Sequence, residues 1–328
     1  IDSEWSTVTT AGGLELNYDA CLIAAGSQRT TFGTEGADKY SVGFRLVEDA
    51  VKIAEKLDRL AARKRRASVV IVGGGVSGIE ALGELLRRRS RGDDFNIHVV
   101  ERESRILEQQ PASLADDAVQ RLSPFRVTLH TGSTVTQVNA RSVLLDNGKK
   151  LTADLCIWSA GLALPDFLND AGLKTATDKW LPVEDTLQSY HADNVFVAGD
   201  CAVLPTPVRK QAYYAMDMGA VAGDNIARLL RDRSLRRFCP IPMPMLISLG
   251  DITTWLVAGD SVVASSLLAA GKEGVYQANM ARLASPEEPL QYSADAIGRA
   301  VIAARRLLLP QLAPGKLLTD LMGSRIFV

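Results

Sequence analysis

Apolar residues in this chain are gathered into short unbroken runs separated by glycine-rich or charged stretches. Ala67-Ser-Val-Val-Ile-Val72 is mostly β-branched, which predicts a parallel strand buried on both faces. It ends in Gly73-Gly-Gly-Val-Ser-Gly78, and the pattern from Ile79 to Arg89 predicts a helix. Asn96-Ile-His-Val-Val-Glu101 predicts a second strand with an acidic end. Asp154-Leu-Cys-Ile-Trp-Ser-Ala-Gly161 and Asn194-Val-Phe-Val-Ala-Gly-Asp200 predict two more, the last leading into a long helix from Lys210 to Arg231. Strands that alternate with helices in this way predict an α/β class built on parallel sheet.

Three glycines at Gly73, Gly75 and Gly78, set between a strand and a helix, form GxGxxG in the context that dinucleotide binding requires. Gly73 permits the tight turn, Gly75 lets backbone approach a pyrophosphate, and Gly78 allows the helix to pack closely on the strand. The anion rests on the helix N-terminus. Glu101 follows about twenty residues later at a strand end and is expected to accept the ribose hydroxyls of the adenosine. A carboxylate there repels a 2'-phosphate, so NADH is the expected cofactor, while Arg102 and Arg105 leave NADPH open.

Asp19-Ala-Cys-Leu-Ile-Ala-Ala-Gly26 and the segment ending at Gly161 share the pattern D-x-C-apolar-apolar-x-A-G. Each ends in small residues, Ala25-Gly26 and Ala160-Gly161, where backbone must pass close to a cofactor. The second closes the domain opened by Gly73. The first is expected to close an equivalent FAD domain whose own glycine turn would precede Ile1, with Ile1 to Leu16 supplying a β-hairpin around Ala11-Gly-Gly13. On that expectation these 328 residues alone lack stoichiometric FAD and are inactive. Gly199-Asp200 ends a strand where a carboxylate suits a flavin ribityl hydroxyl, so the chain is expected to return there to the FAD domain.

The predicted fold is α/β, with two interleaved Rossmann-like, three-layer domains for FAD and NAD(P)H and a small C-terminal α+β domain. The expected boundaries are 1–31 for the first FAD segment, 32–66 for a linker helix and 67–161 for the NAD(P)H-binding domain. Residues 162–235 return to the FAD domain, and 236–328 form an interface or membrane-association domain.

Composition narrows the partners. A content of 47% hydrophobic and 23% charged residues fits two or three ordinary globular domains. The net charge of -1, from 37 basic and 38 acidic residues without a long single-sign block, carries no footprint for nucleic acid. Cys21, Cys156, Cys201 and Cys239 make no CxxC pair and no metal-ligand cluster, which points to a reducing compartment and to no metal site. Cys21 and Cys156 sit in apolar runs and are expected to be small core residues. Asp260 interrupts the most hydrophobic C-terminal stretch, so no spanning helix is expected. Asp295 to Leu309 places Ile297, Val301, Ala304 and Leu308 on one helical face, opposite Arg299 and Arg306, a pattern that suits a membrane surface, the protein's own core or a second subunit.

The order GxGxxG, D-x-C-I-W-S-A-G and V-F-V-A-G-D resembles the pyridine nucleotide-disulfide oxidoreductase-like flavoproteins. Phe32-Gly-Thr-Glu-Gly-Ala37 and Arg45-Leu-Val-Glu-Asp-Ala50 are similar to type II NADH:quinone oxidoreductases. Lys210-Gln-Ala-Tyr-Tyr-Ala215 resembles their ferroptosis-suppressor branch, the quinone reductases homologous to apoptosis-inducing factor. The resemblance implies FAD and NADH as cofactors, hydride passing from NADH through flavin to a quinone, and an acceptor site at Lys210, Gln211, Tyr213 and Tyr214. Glu80 matches a glutamate that type II enzymes keep near nicotinamide and flavin and is the implied catalytic residue, with a helix-dipole role as the alternative. Two other readings stay open: a soluble NAD(P)H reductase of ferredoxin or rubredoxin, and an NADH-responsive binding protein like apoptosis-inducing factor. The expected partner is a quinone or other small electron acceptor, with a homodimer left open. The expected location is cytoplasmic, with a peripheral position on the inner face of a membrane.

Overall fold

The computed structural model describes residues 1–63, 65–89, 92–283 and 325–327; the expected helix from Asp295 to Leu309 lies outside them. The chain opens with β1 (Thr7–Thr9), β2 (Glu15–Asn17), β3 (Cys21–Ile23) and β4 (Gln28–Arg29). Next come α1 (Ala37–Tyr40), β5 (Val42–Gly43), α2 (Val47–Ala61), β6 (Ala67–Val72), α3 (Val76–Arg89), β7 (Phe95–Val100), α4 (Ala112–Leu122) and β8 (Val127–His130). A meander of β9 (Val135–Asn139), β10 (Ser142–Leu145) and β11 (Lys150–Thr152) precedes β12 (Leu155–Trp158). β13 (Leu162–Ala163), β14 (Leu181–Pro182), β15 (Val195–Val197), β16 (Ala202–Val203) and α5 (Ala212–Leu229) follow. The described chain closes with β17 (Met245–Leu249), β18 (Thr253–Ala258), β19 (Ser261–Ser265), α6 (Leu268–Leu283) and β20 (Arg325–Phe327).

Contacts divide the chain into two units, Ile1–Thr30 with Leu162–Pro242, and Thr31–Gly161 with Met243–Val328. The second is built on a five-stranded parallel sheet in the order β5-β12-β6-β7-β8. All six residues of β6 are buried, and they divide by the two-residue period of a strand. Val69 and Ile71 join a core with Leu57 of α2, Leu82 of α3 and Leu114 of α4, while Val70 and Val72 face Val138, Val143 and Leu151 of the meander. The sheet is thus covered by helices on one face and by the meander on the other. Each such fully buried aliphatic side chain contributes about 1.5–3 kcal/mol.

The antiparallel sheet β17-β18-β19-β20 adds to this core rather than building a separate one, because Ile247, Leu249, Trp255 and Val262 belong to the same buried cluster. Trp255 is fully buried, and its Nε1 donates to Asp117 Oδ2 at 2.8 Å, an oxygen that also accepts from Arg121 Nε at 2.6 Å. A Cβ at Gly83 would lie 2.2 Å from Gly250 N, so α3 reaches the β17 end only because position 83 has no side chain.

Residues 32–66 form more than the single linker helix expected from sequence. Gly36 turns the chain with φ 70°, α1 lasts four residues, and β5 joins the parallel sheet beside β12. α2 then starts at Val47, where Asp49 Oδ2 accepts from the backbone N–H groups of Arg45 and Leu46 at 3.1 and 3.0 Å. α3 starts at Val76 instead of Ile79, and the long helix spans Ala212–Leu229 instead of reaching Lys210 and Arg231.

His98 of β7 and His130 of β8 stand side by side, His130 Nε2 to His98 Nδ1 at 3.3 Å. Burial, aided by the positive charge of Lys149, pushes both imidazoles below their ordinary value. The unfolded chain therefore binds protons here more readily than the folded one. The stabilising contribution is complete above about pH 6.5 and is lost as the pH falls through the lowered values of the folded pair. The melting temperature of the wild type is expected to fall from about pH 7.5 to about pH 5, and to fall less in a His98→Asn/His130→Asn double variant. Equal slopes in thermal denaturation would contradict the assignment.

In the first unit, β15 pairs in parallel with β3, aligning Val195, Phe196 and Val197 with Cys21, Leu22 and Ile23. Phe196 and Leu181 are fully buried, together with Met218 and Ala222 from α5. Cys156 in the other unit is buried as expected for a core residue, whereas Cys21 is only partly so.

Candidate functional site

A cleft of about 560 Å³ opens in the second unit at the C-terminal ends of β6, β7 and β12, where an open parallel sheet leaves space for a ligand. Gly73, with φ 104°, makes the turn out of β6, and a Cβ on it would lie 2.8 Å from Ser159 Oγ. That hydroxyl donates toward the carbonyls of Val72 and Gly73 at 3.0 and 3.1 Å, tying the end of β12 to the turn. Gly78 lies inside α3, and a Cβ there would sit 1.9 Å from Gly73 O. Gly75 differs, because its Cβ position meets nothing within 4 Å and opens into the cleft. Gly161 lines the same space beyond β12.

Glu101 fastens the turn from the other side. Its Oε2 accepts from Gly74 N at 2.6 Å and its Oε1 from Glu103 N at 2.9 Å. A carboxylate offers about four lone-pair sites, so both oxygens keep capacity toward the cleft. Arg105, which with Arg102 left NADPH open on sequence, is occupied elsewhere. Its guanidinium donates to the carbonyls of Leu107, Glu108 and Gln110 at 2.8–2.9 Å and pairs with the Glu108 carboxylate at 3.2 Å. Arg102 is exposed and paired with Glu103 at 2.8 Å.

The first unit holds a second cluster at the ends of β3 and β15. Ser27 Oγ donates to Asp200 Oδ2 at 2.7 Å. The Cys201 thiol points to the carbonyls of Ala198 and Ile23 at 3.3 and 3.7 Å, with the backbone of Ala25 and Gly26 facing the sulfur, and burial raises its pKa above the usual value. Ala25, Gly26, Gly199 and Asp200 are therefore neighbours, and Gly26 and Gly199 take the left-handed φ values of 68° and 79° that a side chain would resist. A cavity of about 170 Å³ lies beside them, lined by Trp180, Asp200, Lys210, Gln211 and Tyr214. Lys210 Nζ sits 3.6 Å from the centre of the Trp180 ring and donates to the backbone carbonyl of Asp200. Burial lowers the pKa of this ammonium, opposed by the charge of Asp200. Tyr213 donates to Gln211 Oε1, and its ring centre lies 4.6 Å from that of Tyr214.

Glu80 is placed with neither cluster. Its Oε1 accepts from Ser248 N at 3.2 Å and forms an ion pair with Lys272 of α6, on the α3 face that meets β17. No helix among the described residues is long and apolar enough to cross a membrane.

Comparison with known proteins bears on both clusters. The family described as pyridine nucleotide-disulphide oxidoreductase matches residues 1–219, about two thirds of the 328. The chain belongs to this family. A demethylphylloquinone reductase of Synechocystis, NdbB, is 31% identical over 198 residues, covering 58% of this chain and 48% of its own length. A type II NADH:quinone oxidoreductase of Haemophilus influenzae is 26% identical over 274 residues, covering 72% of this chain and 61% of its own length. This chain thus spans about half to three fifths of those two curated relatives. Among solved structures, NDH2 of Plasmodium falciparum in complex with NADH matches with a TM-score of 0.72 at 16% identity, over 90% of this chain and 81% of that one, a likeness of fold.

In this member of the family the expected residues fall into separate groups. Gly73, Gly75, Glu101 and Gly161 meet at the large cleft, with Gly78 supporting its floor. Ala25, Gly26, Gly199, Asp200, Lys210, Gln211 and Tyr214 gather at the second cluster. Sequence reading missed Trp180, which lies in an irregular segment, and Lys272, which reaches Glu80 from 192 residues away. It also missed Gln110, which carries no motif and lines the cleft beside Glu101.

Proposed function

We propose that this protein is an FAD-dependent NAD(P)H oxidoreductase that passes reducing equivalents from NADH to a quinone. The observation that carries the reading is the open Gly75 position beside the Glu101 carboxylate, at the end of a parallel sheet and the start of α3. Backbone bare of side chains suits a pyrophosphate at the helix N-terminus, and the carboxylate suits ribose hydroxyls. Gly161 and Ala160, at the end of β12, then border the nicotinamide half. The likeness to quinone reductases named above supports a quinone as acceptor.

The second cluster fits a flavin in the same terms. Left-handed glycines at Gly26 and Gly199 clear space at two adjoining strand ends, and Asp200 presents a carboxylate oriented by Ser27 toward a polyol hydroxyl. Bound FAD would supply the two-electron relay between nicotinamide and acceptor. Lys210, Gln211, Tyr213 and Tyr214 are assigned to the acceptor side, where Trp180 holds the ammonium of Lys210 in a fixed place. Glu80 is assigned a positioning role where α3 meets β17 and α6, its carboxylate held by Lys272 and the backbone of Ser248. A lipophilic acceptor would suit attachment to the cytoplasmic face of a membrane.

The test is an acceptor screen of the full-length, FAD-loaded protein with NADH and NADPH. Turnover with a ubiquinone or menaquinone analogue and NADH is expected. Turnover only with a ferredoxin or rubredoxin would move the protein to the soluble-reductase reading, and NADH binding without turnover on any acceptor would favour a binding protein.

A further inference from the structure

We infer that Glu103 is a specificity-determining residue that disfavours NADPH by holding Arg102, the cation that would otherwise receive a 2'-phosphate. This assignment rests on the large cleft being the dinucleotide site, with Glu101 at the adenosine ribose. Glu101, Arg102 and Glu103 follow directly on β7, and all three line that cleft. A phosphate carried on the ribose therefore emerges among two carboxylates and one guanidinium.

The guanidinium is committed to the second carboxylate. Arg102 Nη2 and Nε both donate to Glu103 Oε1, at 2.8 and 3.2 Å. The two side chains are 71% and 47% exposed, so a ligand in the cleft mouth can reach them. An exposed pair of this kind adds little to the stability of the fold, and its consequence lies in the local charge. With Glu103 present, two carboxylates outweigh one cation and the segment repels a phosphate. With Glu103 neutral, Arg102 balances Glu101 and turns a planar fork of donors to the ligand, the geometry that suits a phosphate.

Main-chain bonds hold the segment in place independently of this pair. The Glu103 N–H donates to Glu101 Oε1 at 2.9 Å, and the Glu103 carbonyl accepts from Gly132 N at 2.7 Å. The Glu101 carbonyl accepts from Ser133 N at 3.0 Å, which ties the same segment to the loop after β8. None of these bonds uses the Glu103 carboxylate. Replacing it with an amide keeps the shape and the backbone contacts, and it weakens the hold on Arg102, because a hydrogen bond between two charged groups is about twice as strong as a neutral one.

The experiment makes Glu103→Gln, Arg102→Gln and the double variant in the full chain, and measures NAD+ and NADP+ by isothermal titration, since the two ligands differ only in the 2'-phosphate. Glu103→Gln is expected to lower the Kd for NADP+ about three- to tenfold at low salt and to leave that for NAD+ within about twofold. The gain is expected to shrink at about 0.5 M salt, where exposed charges are screened. Arg102→Gln alone is expected to change NADP+ binding little, because the cation is already held, whereas in the double variant it removes most of the gain. An unchanged Kd for NADP+ in Glu103→Gln would overturn the inference, as would a gain that survives intact without Arg102. Weaker NAD+ binding together with a lower melting temperature would also overturn it, by marking Glu103 as structural. A wild-type chain that binds neither ligand would overturn the cleft assignment and this inference with it.

Discussion

Gly75→Ala is expected to leave the melting temperature unchanged or slightly raised while lowering NADH affinity by at least about tenfold. Position 75 has an ordinary backbone conformation and open space where the Cβ would go, so the folded protein accepts a methyl group there. The same methyl occupies the space that a pyrophosphate needs for close approach. Gly78→Ala is expected to behave in the opposite way. Its Cβ would meet Gly73 O at 1.9 Å and Ser159 Oγ at 2.9 Å, forcing α3 away from the end of β6. Overpacking in a close-packed core costs about 1–3 kcal/mol, and a backbone carbonyl cannot rotate aside as a side chain does, so the upper end or more is expected. Calorimetry on both variants, with and without NADH, separates the two outcomes. Equal destabilisation by both would contradict the assignment of Gly75 to ligand contact.

Glu101→Gln is expected to weaken NADH use and to relax discrimination against NADPH. The carboxylate accepts from two backbone N–H groups, of Gly74 and Glu103, one on each oxygen. An amide can present oxygen to one of them only and turns its own NH2 on the other. Hydrogen bonds to charged groups contribute about 1.5–3 kcal/mol each, so a loss of roughly ten- to hundredfold in kcat/KM with NADH follows. Removing the negative charge also removes repulsion of a 2'-phosphate. Arg102 stands next to the site on the surface, whereas Arg105 is held by three carbonyls and adds nothing to phosphate recognition. The ratio of kcat/KM for NADPH over NADH should therefore rise modestly. An unchanged ratio would remove Glu101 from cofactor selection.

The strand-turn-helix at residues 67–89 was legible because the fold there depends on local facts: β-branched residues buried on both faces, and glycines where no side chain fits. Glu101 was legible by its distance from the turn and its place at a strand end. The segment 32–66 was less so. Its hydrophobic pattern suggests one helix, and the short pieces arise from the left-handed turn at Gly36 and from β5 pairing with β12, more than a hundred residues later. Arg105 shows the same limit for chemistry: sequence reveals a cation near a phosphate site, and only the folded loop reveals that three carbonyls hold it. Glu80 could be picked out by position in the motif, but its pairing with Lys272 depends on how α6 packs.

The central claim is that reducing equivalents pass from NADH through flavin to a quinone, and the two half-reactions of the full-length, FAD-loaded protein test it most directly. Under anaerobic conditions, mixing with NADH is expected to bleach the yellow flavin absorption, and adding a quinone analogue is expected to restore it faster than turnover. A flavin that NADH does not bleach, or that stays bleached with quinone and recovers only with an iron-sulfur protein, would contradict it.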